Sequence, residues 1–532
     1  MLDLPVSDVE AAIEKEFASK EGGMLGMFVR RVSSQLVQLR TFVGHLLGLQ
    51  DGGALGSRTD MVKDPFGLHK LIVVVTRVAK IYGIDNKNGE IVWQYLVKDV
   101  EPCSTLGKLN VPLYIQRTTR VLPHPAQWTM LFRHKVTKNS VLFVFNPING
   151  YPLSGVIELG YKVVQAILLP AADSEFIKGL VLLSSSGRVD VFPPSTKQMA
   201  LATAPTIFMY TIDPATGIVS GYTFAYSTAT KELIATLVWN VKLPLNIVAV
   251  KGKNPQEKVH SQGRVLGDRS VLYKYINPNL VALATLSQDP IHKSVLSVFL
   301  LDVVSGRVIL SVVHKRASEP IHVVHSENWV AYSYFNDKSR RTEMVALDLY
   351  EGKSQTNTTA FSSITQRIDP FIERQAYIFP YHILAMKETI TEKGITSKHI
   401  LVGLGSGGVM EVPWALLDPR RPVVPTMEMR EEGVIPYMPE LALPHEAIIT
   451  YNHTLPNIAG IVTSPAGLES TCLVFVYGLD LFYTQVAPSK TFDVLKDDFE
   501  YWLISAVLVG LTLAAYITKR LASRKALRQA WK

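Results

Sequence analysis

The stretch from Leu71 to Trp93, LIVVVTRVAKIYGIDNKNGEIVW, decides the fold. It opens on an apolar run, continues as an alternating segment, turns between Asp85 and Gly89, and enters a third segment carrying Trp93. Alternation with a period of two, bounded by turn residues, predicts strand, strand, turn and strand. In such a turn the Asx side chain can bond the backbone, and the closing glycine supplies a positive φ. The same spacing returns at Asn146 and Gly150, Asp213 and Gly217, Asp302 and Gly306, and Asp348 and Gly352.

The intervals between these turns are 61, 67, 89 and 46 residues. A four-stranded blade takes about 40–50 residues, so the longest interval is expected to hide a degenerate blade. Short strands, frequent turns and no long amphipathic helix between about Met61 and Lys490 predict an all-β domain over 62–490. The expected architecture is a β-propeller of quinoprotein-like (PQQ-like) repeats, with a β-sandwich array as the rival.

The flanks are of another kind. Ser7 and Glu10 have capping-box spacing, opening a helical segment over 1–50. Within it, 24–49 places Leu25, Phe28, Val29, Val32, Leu36, Leu39, Val43 and Leu46 on one helical stripe. That stripe is too polar on its other face to span a bilayer. It is read as a helix packed on the propeller or as one lying in the membrane interface. Residues 51–61 form a linker.

At the far end, 491–500 is acidic and Tyr501–Thr518 carries no charge. As a helix the uncharged segment rises about 27 Å at roughly 1.5 Å per residue, enough to span the hydrocarbon core. Gly510 and Ala514 give it a small-x-x-x-small spacing for close helix contact. Residues 519–532 are basic, with Lys519, Arg520, Arg524 and Lys525 immediately following the span. The positive-inside rule puts this tail in the cytosol and the bulk of the chain in a lumen. The start has neither a basic n-region nor an apolar h-region. Insertion in that orientation therefore leads us to expect a C-terminal portion of a longer protein. Sequons at Asn357 and Asn452 fall on the lumenal side.

Six of the eight net positive charges lie after Thr518, so the remainder offers no basic surface for nucleic acid. Two cysteines, Cys103 and Cys472, are too few for a disulfide framework; they either bridge across the fold or are both free. Gly403 to Gly408 matches G-x-G-x-x-G, but the strand-like VMEVP that follows makes it a glycine hairpin and not a dinucleotide site. His322 and His325, three apart on a strand, face opposite sides. No catalytic, cofactor or metal constellation emerges, and the chain reads as a non-enzyme.

Several longer runs resemble one family: HSQGRVLGDRSVLYKYINPNL from His260, HVVHSENWVAYSYFN from His322, ITEKGITSKHILVGL from Ile390, ALLDPRRP from Ala415 and PSKTFDVLKDDFEY from Pro488. They are similar to the C-terminal half of the subunit 1 family of the endoplasmic reticulum membrane protein complex. The resemblance implies lumenal propellers of quinoprotein-like repeats, a type I topology and no cofactor. It further implies a scaffold role in a multi-subunit insertase for tail-anchored and multipass proteins, without nucleotide hydrolysis. Expected partners are the other subunits, membrane lipids and, indirectly, client transmembrane segments. On this reading 24–49 is an interfacial brace helix. A single-pass propeller receptor of the lumen or cell surface, or a membrane-tethered quinoprotein-like enzyme, is the alternative.

Overall fold

The apolar run after Leu68 forms the strand Lys70–Val75, which pairs with Lys80–Asp85, which in turn pairs with Ile91–Leu96. Between the last two, the Gly89 N–H donates to the Asp85 carbonyl at 2.9 Å, and the Lys87 N–H donates to Asp85 Oδ1 at 2.9 Å. This is the expected Asx turn. The structure is a computed structural model, and it describes residues 1–5, 61–64, 66–227, 232–356, 358–365, 369–489 and 501–531. They fall into two units, Met1–Pro488 and Ser489–Lys532.

The first unit is a seven-bladed propeller. Blade 1 is Leu2–Asp3, Lys70–Val75, Lys80–Asp85 and Ile91–Leu96 from the inside outward. In blade 2, Val100–Glu101 and Leu113–Arg117 both pair with Gln127–His134, followed by Ser140–Phe145 and Pro152–Glu158. Blade 3 runs Val163–Ala172, Lys178–Ser184, Arg188–Phe192 and Glu232–Lys242, then extends through Ile218–Ser227 to Phe208–Asp213. Blade 4 is Ile247–Gly252, Leu280–Asp289, Lys293–Asp302 and Val308–Lys315. Blade 5 is Ala317–Ser326, Trp329–Asn336, Arg341–Gly352 and Phe371–Phe379. Among the described residues blades 6 and 7 have three strands each: Ile383–Glu388, His399–Leu404 and Val409–Pro413, then Gly460–Pro465, Cys472–Tyr477 and Leu481–Val486.

The core lies between the blades. One apolar layer joins blades 1 and 2 through Ile81, Trp93, Phe132 and Phe143. Another joins 4 and 5 through Leu296, Leu300, Tyr332 and Leu347, and a third joins 5 and 6 through Trp329, Ala346, Val402 and Met410. Strands such as Ser140–Phe145, buried at every position, read as continuous apolar runs because both of their faces are covered. The ring closes between blades 7 and 1. There the Lys70 ammonium donates to Ser464 Oγ at 3.1 Å and to the Pro465 carbonyl at 2.5 Å, and the Gly467 N–H donates to the Phe66 carbonyl at 2.6 Å.

Tryptophan clasps two of the seams. Trp93, on the outer strand of blade 1, lies over Gly83 of its own blade and against Gly150 in the turn of blade 2. A Cβ at either glycine would overlap the ring, and the indole N–H donates to the Pro147 carbonyl at 3.1 Å. Trp239 of blade 3 repeats the arrangement over Gly221 and against Gly306 of blade 4, donating to the Val303 carbonyl at 3.1 Å. At these two seams the Asx turn is therefore the socket for the preceding blade's tryptophan, whereas Gly89 has no such neighbour and Gly217 meets the Leu243 backbone.

Three expectations are corrected. Four of the five Asx turns form, at Asp85, Asn146, Asp213 and Asp302. The fifth does not: Asp348 sits inside the strand Arg341–Gly352, because Leu349 and Tyr350 are buried and carry the strand onward. Among the described residues no further blade lies between Asp213 and Asp302. The Asp213 turn belongs to the extra ribbon of blade 3, and Gly263–Val265 with Val271–Lys274 joins the sheet of blade 5. Finally, 1–50 is not wholly separate from the propeller, since Leu2–Asp3 pairs with Lys70–Val75 as the innermost strand of blade 1. The stripe from Leu25 to Leu46 lies outside the described residues.

Candidate membrane anchor and propeller mouth

The described residues of the second unit form one helix, Tyr501–Ala530, of 30 residues, about 45 Å long at roughly 1.5 Å per residue. It does not stop at Thr518. Lys, Arg, Ala and Leu are good helix formers, and 519–530 contains neither glycine nor proline, so the basic segment continues the same helix. Its apolar side chains are uncovered, among them Trp502 at 90% and Leu511 at 65% exposure. The hydroxyls of Thr512 and Thr518 donate back to the Leu508 and Ala514 carbonyls at 2.8 Å each. That self-satisfaction is what hydrocarbon requires of a polar side chain. No side chain in this unit approaches Gly510, so the Gly510 and Ala514 face is open. Lys519, Arg520, Arg524 and Lys525 are exposed on the continuing helix, with the Arg520 guanidinium 5.8 Å from the Tyr516 ring centre. Long stems let such cations reach an interface while the helix stays in lipid.

In the propeller, a cavity of about 820 Å³ opens where the inner strands of blades 4 and 5 begin. Ile247, Val248, Glu319 and Ile321 line it, together with Leu106 and Gly107 from a small hairpin of blade 2. Among the described residues no three His, Cys, Asp or Glu side chains gather as a metal site. The two histidines separate as strand geometry demands. His322 faces the cavity, its Nε2 3.2 Å from the Ile383 carbonyl, while His325 is buried at 1% exposure. Gly405 to Gly408 is the turn of a hairpin joining His399–Leu404 to Val409–Pro413. Both cysteines are free thiols in different blades, and burial pushes the Cys472 thiol up to about 12.

Asn452 lies exposed on a turn beside the equally exposed Thr454 of its sequon, an accessible geometry for a glycan. Asn357 lies outside the described residues. The residues that the sequence reading passed over are Lys70 at the closing seam and Gly83 and Gly221 beneath the tryptophans; Gly150 and Gly306 were read as turn glycines but not as sockets. The tryptophan itself was visible after the first turn, but its glycine socket sits in the next blade.

Residues 67–489 match the family model described as "ER membrane protein complex subunit 1, second beta-propeller". The chain is 46% identical to ER membrane protein complex subunit 1 of Gallus gallus over 548 residues, covering 100% of this chain and 55% of the relative. To that of Xenopus laevis it is 45% identical over 549 residues, covering 100% and 54%. With the Schizosaccharomyces pombe protein the identity is 32% over 364 residues, 67% of this chain and 39% of the relative. The chain thus spans about half the length of the curated vertebrate relatives it matches. Since the model match takes in nearly the whole seven-bladed ring and the vertebrate relatives align along all of it, the chain belongs to the ER membrane protein complex subunit 1 family.

Proposed function

We propose that this chain is the lumenal scaffold and membrane-anchoring portion of a multi-subunit insertase that places tail-anchored and multipass proteins in the endoplasmic reticulum membrane without nucleotide hydrolysis. The observation that carries this reading is a family-matched propeller joined in one chain to a helix long and apolar enough to span. The acids of 491–500 and the cations from Lys519 onward orient that helix with the propeller in the lumen. The open Gly510 and Ala514 face then packs against other membrane segments. The stripe Leu25, Phe28, Val29, Val32, Leu36, Leu39, Val43 and Leu46 lies in the interface as a brace, and Asn357 and Asn452 carry glycans.

The physical logic is that of a clamp. A polar membrane groove that passes substrates cannot be tightly packed, so the helices around it need an external tie. A rigid lumenal ring holding one span and one interfacial helix supplies it. The test is co-purification of the complex from mild detergent with the Phe28→Asp/Leu36→Asp double variant. The membrane subunits should be lost or substoichiometric while the propeller keeps its wild-type melting point. A full complement of subunits with the double variant sinks the brace assignment.

A further inference from the structure

The inner strands of blades 4 and 5 begin at the cavity and end together on a different group of side chains. Lys251 lies near the end of Ile247–Gly252, with Lys253 just beyond it; His325 and Ser326 end Ala317–Ser326, and Lys387 and Glu388 end the inner strand of blade 6. Lys398, whose side chain is 3% exposed, pairs with Glu257 and lies 3.7 Å from Glu327 and 2.9 Å from Ser326 Oγ. Lys274 pairs with Glu327 at 2.9 Å, and Lys387 pairs with Glu388.

These partners do not balance. The five lysines of this cluster meet three glutamates, with the buried Asp348 carboxyl beyond Lys274 as a further acid, so positive charge remains in surplus even though Glu388 Oε2 is itself buried without a hydrogen-bond partner. The Lys253 ammonium is sealed from solvent without a hydrogen-bond partner. Both His325 ring nitrogens are likewise buried without a bond of good geometry, although the Lys251 backbone leans on the ring. Lys251 and Lys387 crowd each other. Burying an unpaired cation is costly, and a natural interior keeps such a cluster when something neutralises it.

We propose that this cluster binds a small oxyanion of the phosphate class, held by Lys251, Lys253 and His325. A tetrahedral oxyanion offers several acceptor oxygens to these donors and offsets their surplus positive charge. The burial of His325 favours a free ion over a lipid headgroup, which brings its acyl chains with it. Electrostatics agree. Burial holds Lys253 down to about 7 against the pull of Glu327, burial and the neighbouring Lys253 hold Lys398 down to about 7, and burial with Lys253 and Lys251 nearby holds His325 down to about 3. An anion reverses all three by favouring the charged forms.

Equilibrium dialysis of the full chain in mild detergent against radiolabelled inorganic phosphate, at pH 7.5 and constant ionic strength, tests the assignment. About one phosphate per chain is expected, with binding lost in Lys253→Met and retained in Lys353→Ala, which alters an exposed lysine. No uptake by the wild-type chain overturns the proposal, whatever the variants do. Uptake unchanged in a folded Lys253→Met variant also overturns it. Binding of dibutyryl phosphatidic acid without inorganic phosphate overturns the free-ion assignment in favour of a headgroup.

Discussion

Removing Trp93 while filling its glycine socket tests the clasp between blades directly. Trp93 is 9% exposed; it meets Phe145 edge-on at 6.0 Å and bonds the Pro147 carbonyl. Trp93→Ala therefore loses about 3–5 kcal/mol through the cavity and about 1 kcal/mol through the hydrogen bond. Gly150→Ala carries two separable costs. Gly150 has φ +71°, worth roughly 1–2 kcal/mol to a residue with a Cβ. The added methyl also overlaps the indole, an overpacking cost of about 1–3 kcal/mol. Only the second cost depends on the tryptophan.

The double variant should consequently be more stable than the sum of the single losses implies, by about 1–3 kcal/mol. Urea unfolding of the full chain in detergent, followed by far-ultraviolet circular dichroism, measures all four corners without relying on the fluorophore that is removed. A second cycle on Trp239 and Gly306, where φ is +70°, should give the same coupling. Additivity within about 0.5 kcal/mol in both cycles would refute the clasp.

Two further substitutions probe the polar interior. Asp348 is buried; its Oδ2 accepts from the Tyr350 hydroxyl at 2.9 Å while Oδ1 has no partner, and burial plus the Asp418 charge raise the carboxyl to about 7. Because the folded form holds this proton longer than the unfolded chain, its contribution falls as pH rises from about 4 to about 7 and stays at its minimum above that. Asp348→Asn should flatten that window and raise the melting temperature at pH 8 more than at pH 5; an equal shift at both would exclude titration of this carboxyl. Lys70→Met removes the bonds to Ser464 and Pro465 together with the 2.7 Å pair to Asp3, a loss of about 2–4 kcal/mol for bonds to a charged group. Limited proteolysis should then cut first near 465–470, and wild-type resistance there would show that the seam does not depend on this lysine.

Much of the propeller was legible because its signals are local. A strand–turn–strand unit such as Leu71–Trp93 carries its alternation, its Asx and its glycine within a few residues, and all of them serve as read. Asp348 misled because the Asx and the glycine were present but the residues between were not turn residues: Leu349 and Tyr350 are apolar and buried. Blades 6 and 7 carried no Asx signal, having three strands each and, in blade 6, a turn built on glycines. Leu2–Asp3 is two residues long and pairs with a strand nearly seventy positions away, so no periodicity could announce it. Of the candidate site, the span was plain from composition, whereas the lysine cluster is assembled from three blades and has no sequence signature.

The seams of the ring are not alike, and the difference bears on how a scaffold would carry load. Apolar layers join blades 2 to 3, 3 to 4 and 6 to 7 as well as those already described. The 6–7 seam is also tied by Glu469, whose carboxylate accepts the Lys393 and Ile395 N–H groups at 2.8 and 2.7 Å. The contacts named across 7–1 are polar, and water competes for polar contacts once they part. Blade 7 is the blade whose last strand leads through 490–500 to the anchor helix. Tension along the chain from the membrane span therefore reaches the ring beside its polar seam. Blade 7 then stays attached to blade 6 through Leu401, Val474 and Ile461 while the contact with Lys70 yields, so the ring should open at one defined place and keep its other six seams closed.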